Sequence, residues 1–219
     1  MSGLPGPDLL EIVALTLGVS GAALCIATLA GVPLGAVLGL VHFRGQRLVT
    51  LALYTGMGLP PVVVGLFTYL ALSRSGVLGS LDWLFTPRAM VAAQAVIAFP
   101  LVAGLTMSAV AAVEKPVRQQ VIALGASRWQ AALTVLLEAR IGVTAAIVAA
   151  FGGIISEVGA VMLVGGNIEG ETRVLTTAIV VYTRQGDFAM AMALGLTLIV
   201  VTFVANVLLL QLQGRLRDR

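Results

Sequence analysis

Along this chain, long apolar runs alternate with short polar ones. A helix that crosses a bilayer needs about 20 apolar residues. Five runs reach that length, at roughly 12–41, 48–72, 89–113, 141–165 and 189–212. The first is about 30 residues, or about 45 Å as a helix, so it must tilt or extend past the hydrocarbon. The second contains Gly58-Leu59-Pro60-Pro61 and the third Phe99-Pro100. Proline removes a backbone donor and kinks a helix. At membrane depth the freed carbonyls are tolerated only against protein or a water-filled cavity, so both kinks are expected to face the bundle interior.

Among the polar segments, 117–140 is predicted to form two helical runs, 118–124 and 127–137, with Gly125-Ala126 between them. Segment 166–187 holds a predicted short helix from Thr172 to Val181. There is no heptad array, low-complexity tract or internal repeat.

Composition narrows the class. The chain is 59% hydrophobic and 11% charged, with mean hydropathy +1.04, whereas soluble domains carry about 25% charged residues. It reads as a single membrane domain, residues 1–219, in contact with lipid. The net charge of +3 is no nucleic-acid signal, because the basic residues follow the spans. Cys25 is the one cysteine, which excludes an intrachain disulfide and a cysteine metal cluster. The first 11 residues hold Asp8 and Glu11 but no Lys or Arg, so the first run reads as a retained helix rather than a cleaved signal.

Loop charge sets a direction. One set of loops holds Arg44, Arg47, Lys115, Arg118, Arg128, Arg140, Arg215, Arg217 and Arg219; the other holds Arg74, Arg88, Arg173 and Arg184. By the positive-inside rule the N-terminus is expected outside, with 117–140 and the C-terminus in the cytoplasm.

Catalytic chemistry finds little support. His42 is the one histidine, and it reads as an interfacial side chain. The chain has no HExxH, no Gly-x-Ser-x-Gly and no phosphate-cradling Gly-Lys-Ser/Thr loop, so neither a catalytic nor a metal site is expected, and no cofactor. Glu157 is the clearest intramembrane charge. A carboxylate at a helix centre costs about 2.5–3.5 kcal/mol on insertion scales, so it should have a partner. It reads either as a polar element of a pathway or as a structural carboxylate taking a cation or backbone donors from the 166–177 loop.

Segment 117–142, VRQQVIALGASRWQAALTVLLEARIG, resembles the cytoplasmic coupling loop of ABC-importer permeases. Gly125, Val135 and Leu137 sit in register with the family's pattern. Gln119, Gln120 and Val121 replace its opening Glu-Ala-Ala, and Glu138 replaces its final proline. Gly58 to Gly65 and Ser156 to Asn167 look like the molybdate/sulfate/tungstate branch. Thr172 to Ile179 with Gly186-Asp187-Phe188 looks most like its tungstate members.

The resemblance implies an all-α integral membrane protein with five transmembrane helices and the type I ABC importer permease (MetI-like) fold. It implies a homodimer in the inner membrane, two separate ATPase subunits and an extracytoplasmic binding protein that delivers an oxyanion. Leu124, Gly125, Ala126, Ser127, Arg128 and Trp129 would then couple to the ATPase. Pro60, Pro61, Ser156, Glu157, Asn167, Thr176 and Thr177 would line or gate the pathway. Arg173 and Arg184 would receive the anion or dock the binding protein. The rival class is an ion-gradient-driven transporter or channel, which would show inverted repeats and coupling carboxylates. A noncatalytic assembly factor is a third reading.

Overall fold

A computed structural model describes residues 6–113 and 115–217, and all regular structure among them is helical. In chain order the helices are α1 (Gly6–Leu40), α2 (Gln46–Met57), α3 (Pro61–Leu72), α4 (Pro87–Ala111), α5 (Lys115–Ala123), α6 (Arg128–Glu138), α7 (Arg140–Ile155), α8 (Gly159–Gly165), α9 (Leu175–Arg184) and α10 (Phe188–Arg217), with a 3-10 turn at Gly79–Leu81.

Three of these are long and apolar enough to cross a bilayer alone: α1, α4 and α10. Two bent pairs, α2 with α3 and α6 with α7, bring the number to five if each pair counts as one span. α4 is the central helix, buried over 61% of its most apolar window, while α10 is peripheral at 6%. α1 lies along α4 through Gly31, Gly35 and Gly39. A Cβ at Gly31 would meet Val102, one at Gly35 would meet Ala103 and Thr106, and one at Gly39 would meet Met107 and Val110. Both partners advance together in sequence, so α1 and α4 run parallel. α7 runs the other way: Gly142 meets Ala109, and Gln94 Nε2 donates to the Ile154 carbonyl at 2.9 Å. These directions fit alternate crossings.

Two expected spans are interrupted. Run 48–72 turns by 102° between α2 and α3. Pro60 is extended, at φ −60° and ψ 125°, and Pro61 opens α3, since a residue before proline avoids the helical region. Run 141–165 is not one helix either: α7 ends at Ile155 and α8 begins at Gly159. The sixteen residues of α7 span only about 24 Å, so α8 must complete any crossing. α4, by contrast, passes through Pro100 unbroken. Pro100 is buried, and Gly56 leaves room for its ring, since a Cβ there would be 3.0 Å from it.

Candidate functional site

Segment 117–140 forms two helices as its sequence suggests, for identifiable reasons. α5 is closed by Gly125 at φ +91°, with Ala126 N–H donating to Val121 O at 3.2 Å and Gly125 N–H to Ile122 O at 2.9 Å. This pair of bonds satisfies terminal carbonyls that a helix otherwise leaves open. Nothing lies within 4 Å of a Cβ built on Gly125, so the glycine serves the bend and not a close approach. α6 then starts with a capping box. Ser127 Oγ accepts from Gln130 N–H at 3.3 Å, and Gln130 Oε1 accepts from Ser127 N–H at 2.8 Å. The S-x-x-Q spacing at 127–130 carries that signal in the sequence.

The two faces of α6 differ. Ala131 and Val135 are buried, and Val135 packs with Ala36 of α1, Val110 of α4 and Ala139. On the opposite face Trp129 is 72% exposed, and Leu133 and Leu137 are also exposed, beside Leu124 at 87%. Arg128 is exposed with them. An apolar ridge that points away from its own bundle is the kind of surface on which partners dock, and on the opposite face Val135 touches α1 and α4.

The two interrupted spans meet each other. A Cβ on Gly65 of α3 would lie 2.5 Å from Ala160 Cα in α8, and one on Gly159 would overlap Val62. The starts of α3 and α8 therefore lie side by side. Between α7 and α8, Ser156 Oγ donates back to Gly152 O at 2.8 Å, and Glu157 Oε1 accepts from Ala160 N–H at 2.9 Å. Glu157 thus caps α8. The expectation that its carboxylate draws donors from the 166–177 loop is corrected: the donor belongs to α8, and the loop reaches Glu157 only through Thr176 Oγ1, which donates to the Glu157 carbonyl at 3.0 Å. Among the described residues Glu157 has no ion pair.

The remaining expected pathway residues divide by exposure. Pro60 and Ser156 are exposed, Pro61, Glu157 and Asn167 half-buried, and Thr176 and Thr177 buried within the protomer. Thr177 Oγ1 accepts from Val174 N–H and donates to Val174 O, both at 3.1 Å. It fixes the start of α9 at Leu175, later than the Thr172 expected. Thr172 instead closes the loop, donating to Gly165 O at 2.6 Å and accepting from Ile168 N–H at 2.8 Å. Asn167 stands at φ +52° with its Oδ1 buried and unpartnered. Arg173 pairs with Glu169 at 3.2 Å.

Residues 31–219 match the family described as "Binding-protein-dependent transport system inner membrane component". The chain belongs to that family. It is 42% identical to the "Probable anion ABC transporter permease protein" of Haloferax volcanii, over 96% of this chain and 91% of that protein. It is 41% identical to the tungstate uptake system permease protein TupB of Peptoclostridium acidaminophilum, over 94% and 91%. It is 32% identical to the molybdenum transport system permease protein ModB of Escherichia coli K12, over 77% of each. Among solved structures, an inward-facing MetNI methionine ABC transporter chain superposes with a TM-score of 0.77 at 19% identity, covering 100% of this chain and 99% of that one, which shows the fold.

Within this transport component, three residues to which the sequence reading gave no site role prove structural. Thr172 organises the α8–α9 loop, as above. Thr16 of α1 is buried and accepts from Leu175 N–H at 3.0 Å, docking the start of α9 across 159 positions of sequence. Gln94 ties α4 to the last turn of α7. A polar residue in an apolar run was the available signal at Thr16 and Gln94. No group of three or more His, Cys, Asp or Glu able to hold a metal occurs among the described residues.

Proposed function

We propose that two copies of this inner membrane component form the pathway of an ABC importer for an oxyanion, tungstate first, with molybdate and sulfate next in order. ATP hydrolysis takes place on separate subunits, and an extracytoplasmic binding protein delivers the anion. The N-terminus is outside and the C-terminus in the cytoplasm, a reading supported by the nine-to-four bias of basic residues between the two sets of loops. Tungstate and molybdate follow the names of similar proteins, and sulfate follows the resemblance of Gly58 to Gly65 and Ser156 to Asn167. The observation that carries the reading is the two-faced α6, anchored through Ala131 and Val135 and open through Trp129, Leu133 and Leu137. Closure of the ATPase pair would push on that ridge and move α1 and α4 as a rigid body.

In this reading the anion passes the breaks at Pro60-Pro61 and Ser156-Glu157. The start of α3, a 12-residue helix, offers it the partial positive charge of a helix N-terminus. Thr176, bonded to the Glu157 carbonyl, and Thr177, bonded to Val174, hold the start of α9 against the break, and Asn167 marks the bend of the α8–α9 loop. Glu157 has its charge directed to α8, which lessens its repulsion of an anion.

The test is reconstitution with the cognate ATPase and binding protein. ATP-dependent tungstate uptake is expected, with Trp129→Ala lowering ATPase association at least tenfold while the thermal unfolding of the chain stays as in the wild type. Uptake in vesicles without any ATPase would overturn the reading in favour of a gradient-driven transporter.

A further inference from the structure

A cavity of about 410 Å³ opens between the first turns of α1, the α8–α9 loop and the start of α10, away from both helix breaks. Its lining is largely apolar, with Ile12, Leu15 and Leu194 among its residues, and includes Glu11, Glu169, Glu171 and Arg173. Arg173 is poorly satisfied there. Its side chain is 15% exposed and its one ion pair goes to Glu169, itself 78% exposed. Its Nε is buried without a partner. A guanidinium has five N–H donors, and its best-matched partners are carboxylate and phosphate taken two bonds at a time.

The cavity is of small-molecule size, since such sites run about 300–1,000 Å³. It would hold a headgroup but not two acyl chains. Outside it, Leu10 and Leu17 are exposed on the α1 face that carries cavity residue Ala14, and Leu196 and Val200 on the α10 face that carries Ala193. The spacings of three and four residues put each set on one stripe. A ligand with its polar end in the cavity therefore finds two apolar stripes leading along the spans.

We infer that this cavity binds the headgroup of an aminophospholipid, with its phosphate on Arg173 and its ammonium between Glu11 and Glu171. The mixed charge selects for this chemistry. A free oxyanion would meet Arg173 but also three carboxylates, those of Glu11, Glu169 and Glu171. A simple cation would meet Arg173. A zwitterion with a primary ammonium satisfies both signs, and the adjoining stripes take its chains. The site would pin α1, the α8–α9 loop and α10 together at the membrane boundary.

The probe is the full-length chain in nanodiscs of equimolar phosphatidylethanolamine and phosphatidylglycerol, with retained lipid counted by native mass spectrometry after extraction. Phosphatidylethanolamine is expected to be retained at least fivefold over phosphatidylglycerol. Glu171→Gln should bring the ratio close to one, Arg173→Gln should lower retention of both, and Arg184→Gln, outside the cavity, should change neither. Equal retention in the wild type, or a preference that survives both cavity substitutions, overturns the inference. So does displacement of the lipid by excess tungstate, which would make the cavity an oxyanion site. Should Arg173→Gln fail to fold, Glu171→Gln decides alone, because its side chain is exposed.

Discussion

The α1–α4 pair and the α3–α8 pair use the same packing device to different ends. In both, small residues bring two backbones into contact: Gly31, Gly35 and Gly39 against α4, and Gly65 and Gly159 against Ala160 and Val62. Close approach of this kind is a general way for helices to associate where lipid gives no hydrophobic drive. The difference lies in the backbone. α1 and α4 are single helices over 35 and 25 residues, each passing through one internal proline, Pro33 and Pro100, without a break. α3 and α8 have 12 and 7 residues and each starts at a non-helical break, so each can pivot while its packing holds. What separates the two pairs is where the helix itself ends, at Pro60 and at Ser156–Val158, with close contacts in both.

The strongest way to break this comparison is to overpack both pairs. Gly35→Leu would drive a side chain into the Ala103 carbonyl and lie 2.8 Å from Thr106 Cβ. Overpacking costs about 1–3 kcal/mol, sometimes more, and here two long helices must separate, so a large fall in thermal unfolding temperature in detergent is expected. Gly18→Leu on the same helix, where nothing lies within 4 Å, should unfold close to wild type. Gly65→Leu comes next, with a smaller stability loss because short segments can shift, but with tungstate uptake reduced at least tenfold. Equal stability losses for Gly35→Leu and Gly65→Leu would remove the distinction between frame and moving part.

Smaller effects sharpen it. Thr16→Val leaves the buried Leu175 N–H without its acceptor, a loss of about 1–3 kcal/mol, measurable by denaturation and largely restored by Thr16→Ser. Glu157→Gln keeps an oxygen for Ala160 N–H, so stability should stay within about 0.5 kcal/mol, whereas Glu157→Leu should lose about 1 kcal/mol as other caps do. Uptake abolished by Glu157→Gln at unchanged stability would show that the charge itself takes part in transport.

The apolar runs made α1, α4 and α10 legible almost to their ends, because each is set by length and hydropathy alone. The Pro60-Pro61 break and the Gly125 bend were legible for a local reason as well, since proline and a positive φ act on the residue that bears them. Pro100 differs from Pro60-Pro61: α4 continues through it, and it is buried beside Gly56, on the interior side that the sequence suggested. The α7–α8 break was missed because Ser156-Glu157-Val158 has no proline. Ser156 ends one helix by bonding back to it, and Glu157 starts the next by capping it.

What the sequence by itself determined is therefore the class of molecule, its apolar helices, its basic-residue asymmetry and the helix pair of 117–140 with its bend. Each depends on composition or on residues within a few positions of one another. Only the tertiary structure decided that Val135 faces α1 and α4 while Trp129 faces out. The same holds for Thr176 and Thr177, whose hydroxyls turn inward, for Thr16 on the start of α9, and for Arg173 in a cavity with Glu11 from the far end of the sequence. Those outcomes depend on which helices become neighbours, and hydropathy is nearly uniform across the candidate partners, so the choice rests on close small-residue contacts that a one-dimensional pattern does not display.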